Sequence, residues 1–217
     1  NHPDPTVKRK SGFLTPFYKG SNNLGSSINI PYFYSISSSK DLTFKPRIYL
    51  NNDFIIQSEY REAFRDSNLI VDFSINRKEN SNTHFFAELD GDLNDTTVYK
   101  LQLQNVTNDN YLKVHDIMEY TPIIDSESTL TSFLRLDKNI DEDTTFNSTI
   151  KLYEDLTKND NDKYQYIFPD FNFSKNIKLD PSYNGNFNFL SSGFQKVYET
   201  NKYEALLNND FNFESFD

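Results

Sequence analysis

The chain reads as all-β: an antiparallel up-and-down meander of about 10 to 12 strands. Three observations predict this. Apolar and polar residues alternate with period two through most of the chain, a pattern no helix produces. The alternating runs are joined by short clusters of Asn, Asp and Ser, which tolerate left-handed backbone and cap their own turns. Three prolines, Pro16, Pro31 and Pro46, stand fifteen residues apart inside aromatic or aliphatic runs, where a residue without a ladder donor needs a reason.

The first elements follow from the prolines. A turn between Asn23 and Leu24 sets Pro16 opposite Pro31, and a turn in Ser37-Ser38-Ser39 sets Pro31 opposite Pro46. The expected result is a line across the first strands that is short of hydrogen bonds. From Asp41 to Leu50, residues Leu42, Phe44, Pro46, Ile48 and Leu50 share one face, and Asp41, Thr43, Lys45, Arg47 and Tyr49 share the other. After the turn Asn51-Asn52-Asp53, the alternation returns in Leu69, Val71, Phe73 and Ile75, and again in Tyr99, Leu101 and Leu103. Val106 to Ser128 breaks the rhythm and is expected to be a long loop. Beyond it, Phe146, Ile150 and Leu152, then Tyr183, Phe187 and Phe189, resume the strand pattern.

Composition bounds the class. The 217 residues include 20 Phe and 14 Tyr but no Trp or Cys, which rules out a disulfide or a thiolate metal site. A formal charge of −10 argues against general nucleic-acid affinity. No apolar run is long enough for a transmembrane helix, whereas strands of about 8 to 11 residues fit a tilted β crossing. The chain opens on Asn1, carries no signal peptide, and reads as a piece of a longer polypeptide.

Several stretches, in order, carry a resemblance to a known family. They are His2 to Pro16, Leu24-Gly25, Ile30-Pro31-Tyr32-Phe33-Tyr34, Asp41 to Arg47, Asn108-Asp109-Asn110-Tyr111-Leu112, and Tyr164-Gln165-Tyr166-Ile167-Phe168-Pro169. Together they resemble the N-terminal half of the barrel of LptD, the lipopolysaccharide-assembly (organic-solvent-tolerance) family of Gram-negative outer membranes. The resemblance implies a barrel of roughly 26 strands, with residues 1–217 supplying a single segment of it. The periplasmic jelly-roll and the closing strands would then lie outside this sequence. It implies lipopolysaccharide transport, with lateral release where the first and last strands part. Pro16 and Pro31 occupy the gate positions, while Pro46 is expected to be a bulge or a lipid-facing kink. Implied partners are lipopolysaccharide, an LptE-type lipoprotein plug and an LptA-type periplasmic bridge reached through the jelly-roll. Neither a cofactor nor an enzymatic activity is implied.

The remaining motifs are bland. Lys8, Arg9 and Lys10 form the one basic cluster and could meet lipid phosphates. Asp90-Gly91-Asp92-Leu93-Asn94 begins like a calcium loop but lacks the required glycine and bidentate glutamate, and is expected to be a turn. His2, His84 and His115 share no ligand spacing and read as ordinary polar residues. Glu59 and Glu62 beside Arg61 suit a polar strand face better than a carboxylate pair. The competing reading is a soluble β-sandwich or β-solenoid carbohydrate-binding module, with the aromatic residues as core and sugar platform.

Overall fold

The computed structural model describes residues 9–20, 24–50, 53–76, 82–159, 161–180 and 183–215. Lys8, His2 and the turn residues Ser21 to Asn23 lie outside them. Fourteen antiparallel strands form one meander. They are β1 (Gly12–Phe13), β2 (Phe17–Lys19), β3 (Ser27–Asn29), β4 (Tyr32–Ser35), β5 (Lys40–Tyr49), β6 (Phe54–Ala63) and β7 (Ser67–Asn76), followed by β8 (Asn82–Asn94) and β9 (Thr97–Val106). After an interrupting segment come β10 (Thr129–Asp141), β11 (Thr144–Asp155), β12 (Tyr164–Lys178), β13 (Gly185–Tyr198) and β14 (Tyr203–Ser215). The excess over the expected number has a simple origin: prolines cut each of the first two strands in two. β1 pairs with β4, β2 pairs with β3, and both β3 and β4 lie along β5.

The chain divides into two compact units, Asn1–Leu89 with Leu103–Leu130, and Asp90–Gln102 with Thr131–Asp217. In the first unit the predicted faces are present, and their burial is the reverse of that in a water-soluble sheet. On β5 the polar face is covered: Asp41 is 4% exposed, Thr43 5% and Arg47 2%. Phe44 and Ile48 are 39% and 55% exposed on the opposite face, with Leu50 just beyond the strand at 77%. β6 buries Gln57, Ser58 and Glu59 while exposing Phe54 and Ile56, and β7 buries Asp72, Ser74 and Asn76 while exposing Phe73.

What covers the polar face is the segment between β9 and β10. It contains a helical turn, α1 (Tyr111–Val114), and a 3-10 turn, Ile117–Tyr120. Tyr111, Leu112 and Ile117 of this strap are buried, as are Ile55 of β6 and Phe86 of β8. The loop expected from the broken rhythm is therefore a folded part of the core.

In the second unit β12, β13 and β14 again set aromatic residues on one face and asparagines on the other, but neither face of β14 is covered. Register pairs Phe187 with Phe213 and Phe189 with Phe211 on one face, and Asn176 with Asn188 and Asn188 with Asn212 on the other. The Phe189 and Phe211 rings stack at 4.8 Å, and Phe173 lies 6.0 Å from Phe189. Gly193 belongs to the aromatic face, where a Cβ would stand 2.7 Å from the Leu206 carbonyl oxygen and 3.0 Å from the Phe171 ring. That close approach explains glycine in the middle of a strand.

One local expectation fails, and of another only one of its two forms is excluded. Asp90 to Asn94 are strand residues of β8, and the turn falls at Asp95–Thr96, capped by the Asn94 side chain accepting from the Thr96 amide. Of the bulge or lipid-facing kink expected of Pro46, the bulge is absent: the pairing of β5 with β6 runs through it without a shift, and β3 and β4 keep one register on either side of it.

Candidate functional site

The first strands show what the prolines do to the ladder. The register differs by one to two residues from the expected one, so no proline stands opposite another. β1 and β4 pair Phe13 with Tyr32, and the Leu14 amide donates to the Pro31 carbonyl at 2.9 Å. β3 and β5 pair Asn29 with Arg47, and the Ile30 amide donates to the Pro46 carbonyl at 3.3 Å. In an antiparallel ladder such a pair exchanges two bonds, because the N–H and C=O of one residue point to the same neighbour. Proline removes the second bond in each case, the one returned to Leu14 and the one returned to Ile30. Pro31 and Pro46 thus each halve a pair on the side of the preceding strand. Pro16 lies in the break between β1 and β2, outside both ladders. Pro31 is buried and Pro16 is exposed.

Alongside this break lies a cavity of 410 Å³, lined by Leu14, Phe17, Asn29, Pro31, Thr43, Lys45 and strap residues Glu119 to Pro122. Thr43 belongs to its wall, so a bulky replacement there crowds the cavity.

The strap is held by polar groups of the strands. The Arg47 guanidinium donates to the His115 carbonyl and lies 3.8 Å from the centre of the Tyr120 ring. Lys45 donates to the Tyr120 carbonyl at 2.6 Å and to Glu59 at 2.6 Å. The ring of Phe17 stacks on Tyr120 at 5.7 Å. Deeper in, Tyr111 Oη lies 2.7 Å from Ser74 Oγ, which lies 2.6 Å from His84 Nδ1. His84 Nε2 donates to Asp72 at 2.6 Å, and Gln57 donates to the same oxygen at 2.9 Å. The order Ser74, His84, Asp72 has the connectivity of a nucleophile relay. Yet Ser74 is 2% exposed and its hydroxyl is held between Tyr111 and His84, so this network holds the strap rather than meeting a substrate. Burial pushes the Tyr111 phenol up to about 12, which keeps it a donor.

His115 is held down to about 4, chiefly by burial, with Arg47 acting the same way and Asp53 and Asp116 opposing. Its side chain faces the Tyr49 hydroxyl at 3.4 Å and the Tyr111 ring at 4.9 Å. Because the folded protein disfavours the charged form, the stability contributed is complete above the unfolded pKa of about 6.5 and is lost as pH falls towards 4. The loss amounts to at most about 3 kcal/mol. The protection factors of residues 111–120, with the intrinsic pH dependence of amide exchange divided out, are expected to fall across that interval, and His115→Asn to remove the fall. Protection factors flat with pH in the parent protein would contradict the assignment.

The sequence-predicted site residues are brought together only in part. Arg9 reaches Asp41 at 2.7 Å and is thereby engaged, whereas Lys10 is exposed. His84 and His115, which carried no signal in the sequence, are central to the covered face. Arg61 bonds Asp41 and Glu59 within the strand face. Among the described residues no group of three or more His, Asp or Glu side chains is placed to hold a metal ion.

No family model matches the chain. Curated relatives do. An LPS-assembly protein LptD of Cupriavidus pinatubonensis is 36% identical over 56 residues, 26% of this chain and 7% of that protein. LptD of Pseudoalteromonas translucida is 27% identical over 111 residues, 48% of this chain and 15% of the relative, and LptD of Idiomarina loihiensis is 24% identical over 112 residues. Among solved structures, a KdgM porin in complex with disordered oligogalacturonate aligns over 93% of this chain and 96% of its own, with 9% identity and a TM-score of 0.33. The matched parts span between 7% and 15% of the LptD relatives' length, and over a quarter to a half of its own length this chain is similar in sequence to them.

Proposed function

We propose that this chain is a segment of an outer-membrane β-barrel that transports and assembles lipopolysaccharide, and that its first strands are the seam through which lipid leaves. The observation that carries the reading is the inverted polarity of the sheet. Among the described residues, buried polar and charged side chains number nineteen against eleven buried hydrophobic ones, while aromatic and aliphatic residues crowd the exposed face. Water disfavours that arrangement and a hydrocarbon surround favours it. It also tells against the soluble sugar-binding module, whose aromatic residues would have to fill the core. Similarity to LptD proteins supplies the substrate and the expectation of a plug lipoprotein and a periplasmic bridge as partners.

The seam has a physical basis in the halved pairs at Pro31 and Pro46, with Pro16 extending the break on the first strand. Each lost bond is worth about 0.5 to 1.5 kcal/mol. Replacing Pro31 and Pro46 by residues that can donate is therefore expected to stabilise the seam by about 1 to 3 kcal/mol and to lower its open population five- to hundredfold. Lipid delivery to the cell surface should slow accordingly, with less effect from Pro16 alone. Unchanged amide exchange of residues 11–35 together with unchanged export by the full-length protein would return the prolines to edge protection. Phosphate contact is assigned to the cluster Lys8, Arg9 and Lys10, where Arg9 must first exchange its bond to Asp41. The membrane assignment itself is tested by fractionation: extraction that requires detergent supports it, and a monodisperse monomer in plain buffer overturns it.

A further inference from the structure

We infer that the cavity beside the proline break is a binding site for the secondary-amide neck of an N-acylated amphiphile, with the acyl chain against its apolar wall. The inference rests on the reading of this chain as a lipid transporter and adds which part of the lipid is recognised and where. Four observations carry it. The cavity, at 410 Å³, is the size of a single chain with its neck rather than of a whole lipid, and Leu14, Phe17, Pro31, Tyr120 and Pro122 supply an apolar lining. Asn29, also in the wall, is 2% exposed, and both its amide nitrogen and its amide oxygen are without a hydrogen-bond partner. One donor and one acceptor on a planar group complement another amide, and leaving both unpaired is costly.

The third observation is Thr121 Oγ1, a second buried and unpartnered group on the strap side of the same cavity. The fourth is charge. Lys45 is taken by Glu59 and the Tyr120 carbonyl, and Lys19 near the rim by Asp116 and Glu119. With its cations already neutralised, the site selects a neutral polar group over a phosphate or carboxylate. Phe17 is the cross-strand neighbour of Asn29 and stacks on Tyr120. Displacement of that aromatic pair is the step that admits the ligand's amide to Asn29.

Tryptophan is absent from these 217 residues, so Leu14→Trp is the only tryptophan emitter within them. The full chain carrying this change is titrated in detergent micelles with an N-(bromoacyl)glucosamine bearing one medium-length chain, against a bromoalkyl glucoside of equal chain length. Saturable quenching by the amide is the expected result, against quenching that only rises linearly with micellar probe at a Leu50→Trp reporter on the exposed apolar face. Asn29→Leu should weaken amide binding roughly tenfold, the worth of one or two buried hydrogen bonds, and Thr121→Val should weaken it less, while glucoside quenching stays the same in both. Far-ultraviolet circular dichroism confirms that each variant is folded, and Thr121→Val keeps the test decisive if Asn29→Leu is not. Equal quenching by the two probes, or amide affinity unchanged in the folded variants, overturns the proposal. That failure leaves the transport reading intact, because it is read from binding alone. Slowed lipid export by the seam variant at Pro46, which lies outside the cavity lining, is read in cells and does not depend on the cavity.

Discussion

Asp72→Ala is expected to destabilise the first unit by about 3 to 5 kcal/mol, the range for removing one partner of a buried ionic pair. Asp72 is fully buried and accepts from both His84 Nε2 and Gln57 Nε2, with Lys45 Nζ at 3.9 Å. Its removal strands a donor on each of His84 and Gln57 and leaves Lys45 with Glu59 and the Tyr120 carbonyl. The consequence propagates, because His84 orients Ser74 and Ser74 receives the Tyr111 hydroxyl of the strap. Asp72→Asn keeps the shape and one acceptor oxygen and should cost distinctly less. Ser74→Ala removes only the middle link and should fall between a normal hydrogen-bond loss and that of Asp72→Ala. Thermal or denaturant unfolding in detergent orders the three variants. Equal midpoints for Asp72→Ala and the parent protein would mean that the strap is not fastened through this network.

The strand faces were legible because a period of two leaves no freedom: once Phe44 is placed on one side, Thr43 and Lys45 must lie on the other. The direction of burial was legible only through the membrane reading, since alternation alone does not say which face meets solvent. Register was less accessible. Symmetric turns would have aligned Pro16 with Pro31 and Pro31 with Pro46, but pairs slipped by one or two residues set Leu14 against Pro31 and Ile30 against Pro46. A turn of unknown type does not fix the count of loop residues, and a shift of one changes every partner. The polar network was not legible at all. Asp72, Ser74 and His84 look like ordinary members of alternating strands, and Tyr111 belongs to a segment whose lack of rhythm shows only that it is not a strand. Their meeting depends on that segment folding back over β5 to β8, which no local pattern encodes.

That fold-back also explains how the strap fits the sheet. Arg47 and Lys45 point the same way on β5, two residues apart, and meet successive parts of one short segment: the His115 carbonyl, the Tyr120 ring and the Tyr120 carbonyl. A sheet that keeps its polar side inward can bind an irregular segment there, because the strands offer side-chain donors to carbonyls that no ladder satisfies. An apolar inner face could not do so without leaving those carbonyls unpaired.

Phe44→Arg is expected to cost about 2 to 4 kcal/mol of stability in a bilayer if its position is near the midplane, and less towards either interface. Phe44 sits in the middle of the ten-residue β5 and is 39% exposed on the apolar face, between Leu42 and Ile48. In plain water the same change would be close to neutral or favourable, since it exchanges an exposed ring for a hydrated cation. The sign of the effect therefore reports the surroundings of the sheet and not merely the fit of one side chain. Phe73→Arg on β7, 41% exposed on the parent face, serves as an independent repeat. Thr43→Arg is not a neutral control, because Thr43 is 5% exposed in the cavity wall, and it is expected to be costly through crowding in either solvent. The informative comparison is Phe44→Arg against Phe44→Leu in lipid vesicles. A large penalty for arginine alone fits an apolar face in contact with lipid, and equal stabilities would place that face in water and remove the principal support for a membrane barrel.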